Sequence, residues 1–246
     1  MTALRLLLVA LFLPLLAACD VTTTGPVTVT PGASAPRSQP RDQAALQAQA
    51  RQAVNQFVMV ADRLEPVMER ECRRRAPELN CNFQIVVDRS LTDPPNAFQT
   101  LDDTGHPILA VNIALIASVE NADEMAFVMS HEAAHHISDH LGQQQANAMA
   151  GAQVLGGLAA AGGASGSGLE MAQQLGAALG ARRYSQDYEL QADALGAIIA
   201  RAAGFDALHG AEYFNRIPDP GNSFLGTHPP NARRLETVRY ALANGV

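Results

Sequence analysis

The chain has no tryptophan and no lysine, and its aromatic residues are limited to eight phenylalanines and four tyrosines in 246 positions. All 17 basic residues are therefore arginine, set against 24 acids for a net charge of -7. No strong cationic surface is left to hold a phosphate backbone, which argues against nucleic acid as a partner. Charged residues amount to only 17% while 48% are hydrophobic, a balance that excludes a disordered chain. No apolar run reaches the ~20 residues needed to span a bilayer as a helix, and there is no internal repeat. What remains is enough chain for one full-size domain.

The amino terminus sets the expected compartment. Arg5 precedes an apolar run from Leu6 to Ala18, broken by Pro14, which has the length and flank of a secretory signal segment. It ends in Leu16-Ala17-Ala18-Cys19, which resembles a bacterial lipobox, with residues 1–18 removed and Cys19 diacylated. The alternative is an ordinary signal peptide cut near the alanine pair. Two acyl chains make a firm anchor, so the expected location is lipid-anchored on the periplasmic side of a bacterial membrane. Asp20 resembles an inner-membrane retention signal and leans the assignment toward that membrane over the outer one. The remaining Cys72 and Cys81 form an even pair in an oxidising compartment, and a disulfide closing the loop between them is expected. Metal binding by that pair would need two more nearby thiols or imidazoles.

Residues 19–41 carry the lipidated cysteine and a Thr, Pro, Gly and Ser-rich tether, leaving 42–246 as the folded domain. From Asp42, apolar residues from Leu46 to Leu64 recur at helical spacing, and Pro66 should end or kink that helix or open the next. Phe83–Val87 and Ile108–Val111 read as strands. The polar stretch between them is either a functional loop or holds an edge strand near Ala97-Phe98. Asn121 should cap a helix that sends Met125, Phe127, Val128 and Ile137 to a core. Residues 151–180 suggest two small-residue helices about the glycine cluster at 162–168, either packed closely on other helices or forming a loose surface excursion.

The chemistry sits in His131-Glu132-Ala133-Ala134-His135. Helical positions four apart are about 40° out of phase, so both imidazoles leave one face and can meet one metal ion. Glu132, about 100° around, stands beside the metal and can deprotonate its water. Composition alone yields on the order of 0.01 such motifs in a chain of this length, so chance is a weak competitor. Zinc at a catalytic site wants a third protein ligand and an open position. The extended pattern with a third histidine fails, since Ser138 and Leu141 stand where glycine and histidine should be. A distant carboxylate is the natural candidate, and Glu189 and Asp193 lie four apart on a second helical stretch.

HEAAH, followed by Tyr188-Glu189-Leu190-Gln191-Ala192-Asp193 with Gly196, and then Thr227-His228-Pro229 with Arg234, resembles the HtpX-type zinc metallopeptidases. These gluzincins include the CAAX prenyl endopeptidases, the Oma-type mitochondrial protease and periplasmic enzymes such as BepA and LoiP. The resemblance covers roughly residues 45 to 242. It implies an α+β, predominantly helical zincin-like fold with a small sheet over the HExxH helix. It further implies one Zn2+ per chain on His131, His135 and Glu189, with Glu132 as general base. Asp193 and Arg234 would stand behind the ligands, and His228 is either an oxyanion stabiliser or a structural imidazole. Asn96-Ala97-Phe98 matches the family's substrate-binding segment, although Leu101 to Pro107 replaces its usual Gly-Gly turn. His136 and His140 match no ligand position and read as residues behind the ligands or at the surface.

The expected function is zinc-dependent hydrolysis of peptide bonds in unfolded or misassembled envelope proteins, bound as a strand added near Ile108–Val111. The competing reading is a lipid-anchored chaperone or assembly factor with a structural zinc, against which the intact Glu132 argues.

Overall fold

A computed structural model describes residues 40–90, 92–182, 185–219, 221 and 228–245. The expected signal segment, the expected tether from Cys19 to residue 39, and Thr227 lie outside them. The described body is α+β and predominantly helical.

The first helix, α1 (Pro40–Arg75), neither ends nor restarts at Pro66 but continues past it. A proline inside a helix costs about 3 kcal/mol. Here Val60, Leu64, Val67, Met68 and Cys72 are all buried on one stripe that continues across it, and that burial outweighs the lost hydrogen bond. The stripe begins only at Phe57, because Leu46 and Val54, expected on the packed face, are exposed. Cys72 at the end of α1 is bonded to Cys81, as expected.

Three strands follow: β1 (Gln84–Asp88), β2 (Ala97–Leu101) and β3 (Pro107–Asn112). The polar stretch thus holds the edge strand. The sheet order is β1-β3-β2, with β1 parallel and β2 antiparallel to β3. This overturns the expectation that substrate adds to the edge at Ile108–Val111. Those residues form the central strand, with Leu109 and Val111 fully buried, and both their ladders are filled. The β2–β3 link is built on Asp102, whose carboxylate accepts hydrogen bonds from the N–H groups of His106 and Thr104 and from the Thr104 hydroxyl. Those bonds, the His106 N–H first, pull its pKa down to about 2. Asn112 caps α2 (Ile113–Ser118) by accepting from the Leu115 N–H, and also ties down Pro94 and Asn96 ahead of β2.

Helix α3 (Ala122–Ile137) starts at Asn121, whose side chain accepts from the Glu124 N–H at 2.9 Å. Met125, Phe127 and Ile137 are buried as expected, but Val128 is only half-buried and faces a cleft. Next come α4 (His140–Ala161) and α5 (Ser167–Arg182), which pack on one another. Their glycines permit this, since a Cβ on Gly176 would lie 2.2 Å from the Gly151 carbonyl oxygen. Helix α6 (Ser185–Ala202) lies against α3, and α7 (Ala207–Ala211), a 3-10 turn (Glu212–Asn215) and α8 (Asn231–Asn244) close the domain. No helix among the described residues is long and apolar enough to cross a membrane.

Candidate metal centre

Helical phase puts His131 and His135 one turn apart on α3, and their Nε2 atoms lie 3.0 Å from each other. Helix α6 brings Glu189 to the same point, with Oε1 3.3 Å from His135 Nε2 and Oε2 3.7 Å from His131 Nε2. Gly196 makes the approach possible, because a Cβ there would stand 2.9 Å from the His131 backbone nitrogen. Donors held about 2.0–2.2 Å from a tetrahedral ion are about 3.4 Å apart. The observed separations, and a two-imidazole, one-carboxylate donor set, fit such an ion. All three residues are buried or nearly so.

The outer nitrogen of His131 is fixed from behind. Its Nδ1 donates to Asp193 Oδ1 at 2.9 Å, which leaves the Nε2 lone pair aimed at the donors' meeting point. Asp193 is wholly buried and receives both arms of the Arg234 guanidinium from α8, at 2.7 and 2.8 Å. Arg234 in turn lies 4.0 Å over the Phe214 ring. Burial works against protonation of His131, but the Asp193 carboxylate outweighs it and raises the pKa. Burial also opposes charge on Glu189, yet hydrogen bonds from His135 and His228 hold its carboxyl well below the ordinary range. Burial pushes the Glu132 carboxyl up.

The centre lies on a cleft of about 660 Å³. Asn96 and Ala97 line one side, with Glu132 beside the donors. Phe98 does not join them, because successive strand residues face opposite ways. It borders a smaller cavity of about 220 Å³ that also reaches Glu132, His135 and Glu189. His228 lines the main cleft, with Nδ1 2.9 Å from Glu189 Oε2.

Another part of the cleft wall is made by Leu115, Tyr213, Phe214 and Arg216, none of which the sequence singled out. Arg216 pairs with Glu120 at 3.1 Å and with Glu124. Asn231 at the start of α8 fastens that wall by donating to the carbonyls of Phe214 and Ile217. Leu115 sits on the six-residue α2, and Tyr213, Phe214 and Arg216 on the 3-10 turn and its end, all too short to show a hydrophobic period, so no local signal marks them. His136 and His140 are both buried. His136 bonds the Asn80 carbonyl at 2.7 Å, and burial lowers its pKa. His140 touches His135, and burial together with the His135 charge pushes its pKa down to about 4.

No curated protein matches the chain. The model of peptidase family M48 matches residues 59–242, a span that includes all three donors together with Glu132, Asp193 and Arg234. With more than half its length in that match, and with the donor cluster the motif demands, the chain belongs to peptidase family M48 and is a metallopeptidase.

Proposed function

We propose that the protein is a zinc-dependent endopeptidase that cleaves unfolded or misassembled envelope proteins from a lipid anchor on the periplasmic side of a bacterial membrane. The observation carrying the chemistry is the convergence of His131, His135 and Glu189 beside Glu132 on an open cleft. One zinc bound there would supply Lewis acidity, polarising the scissile carbonyl and bringing the pKa of water toward about 7.

Glu132 takes the proton of the attacking water and later delivers it to the leaving amine. Asp193, held by Arg234, keeps His131 in the tautomer whose Nε2 can bind metal. His228, on the cleft wall, is the imidazole assigned to the developing oxyanion. An extended peptide adds to β2, the edge strand beside the cleft, and is read through its main chain. Such reading tolerates many side chains, which suits unfolded clients.

The location rests on the signal-like run, the Cys19 lipobox and a disulfide that belongs in an oxidising compartment. Acylated protein should fractionate with membranes, and Cys19→Ser should release it.

Glu132→Gln should retain zinc and lose cleavage of unfolded casein by about 10²–10⁴-fold. Full activity in that variant would remove Glu132 as the base. The chaperone reading leaves no purpose for a carboxyl at that place. It would be favoured only if Glu132→Gln cells matched wild type in envelope phenotype while a null allele did not.

A further inference from the structure

We propose that His140 is a positioning residue for the metal centre, one that accepts a hydrogen bond from the outer N–H of His135 and so fixes that ring's tautomer and orientation. The inference rests on the zinc reading above and assigns a role to a histidine outside the donor motif.

On an unbroken helix His140 would stand about 140° around from His135 and face away from it. The helix is broken instead. Asp139, between α3 and α4, has φ +50° and ψ +38°, the only left-handed non-glycine residue among those described. Such strain persists only where surrounding contacts over-determine it. Here the reversal folds His140 back, placing its Nδ1 2.9 Å from His135 Nδ1 with the rings nearly edge-on at 75°.

Two ring nitrogens share a hydrogen bond only when one carries the proton and the other does not. To hold metal, His135 must give its Nε2 lone pair to the ion in place of the hydrogen bond that nitrogen makes to Glu189, so its proton then sits on Nδ1. His140 Nδ1 is then the acceptor, and its own proton sits on Nε2. Gln191 Oε1 lies 3.2 Å from that Nε2 and accepts it. The tautomers therefore agree along the whole line from metal site to Gln191. Tyr188, next to Glu189 on α6, stacks on the His140 ring at 4.6 Å and 18° and holds its plane. The two ligand histidines are thus backed differently: His131 by a carboxylate, His135 by a neutral imidazole.

The test uses the mature chain and reads metal binding, not proteolysis. His140→Phe keeps a ring against Tyr188 but offers no acceptor, whereas His140→Asn places an amide oxygen near the position of Nδ1. In chelator competition, His140→Phe should bind zinc about 10–100-fold more weakly, and His140→Asn within about threefold of wild type. The absorption bands of the cobalt-loaded protein should shift in His140→Phe and not in His140→Asn. Wild-type affinity and bands in His140→Phe would overturn the inference, as would equal damage in both variants. Should His140→Phe not fold, exposed Gln191→Leu serves in its place; it should weaken zinc in the same direction, and unchanged affinity there overturns the inference too. This pattern in a protein that cleaves no peptide would leave the His140 role standing and remove only the peptidase chemistry. A wild-type chain that takes up no zinc would remove both.

Discussion

Asp193 has no solvent exposure and is bonded by Arg234 on one side and His131 on the other. A buried charge deprived of one partner is far more costly than the intact pair is favourable. Arg234→Met should therefore lower unfolding free energy by about 3–5 kcal/mol in urea titrations, and weaken metal binding as well. At this scale the sequence revealed what helical phase can reveal. His131 and His135 were readable because residues four apart share a face. Glu189, Asp193 and Arg234 were readable only through their family pattern, because their meeting is tertiary. His140 was not assigned a partner, since the left-handed turn at Asp139 that reverses its direction leaves no mark in a periodicity count.

Among elements, the contact of α3 with α6 decides whether the donors can meet. A methyl group at Gly196 would press on the His131 backbone, which cannot swing aside as a flexible side chain would. Gly196→Ala should cost about 1–3 kcal/mol in chemical denaturation and loosen metal binding with it. The start of α3 is pinned separately. Asp123 accepts from the Asp206 N–H and from His209 Nδ1, each at 2.9 Å, joining α3 to α7. The Asp123 hydrogen bond raises the His209 pKa. A raised folded-state value means that this support is complete below the ordinary histidine range near about 6.5 and fades as pH climbs through the raised value. The melting-temperature gap between wild type and His209→Asn should accordingly shrink as pH rises from below that range to above it. Helix and strand positions were largely legible because period and β-branching act locally. Strand order was not, since nothing local told that β3 lies between β1 and β2. The passage of α1 through Pro66 was hidden too, because it depends on a packed stripe supplied by other elements.

For the molecule as a whole, the Cys72–Cys81 bridge closes a short loop that also carries Asn80, the residue whose carbonyl meets His136 beside the donor motif. The double variant Cys72→Ser/Cys81→Ser should lose about 2–3 kcal/mol of stability, read by thermal or urea unfolding in oxidising buffer. The pairing was legible from cysteine count and the compartment expected from the amino terminus, whereas its link to the metal-bearing helix was not. The three-stranded sheet has a further consequence. Among the described residues β2 pairs on one side only, and its first residue, Ala97, lines the cleft. A guest held by repeating amide rungs is sorted by posture and not by spelling. On the proposed function, a neighbour whose strands already have mates would offer such a rim nothing to grip, while a chain that has let go of its own mates would qualify whatever its composition.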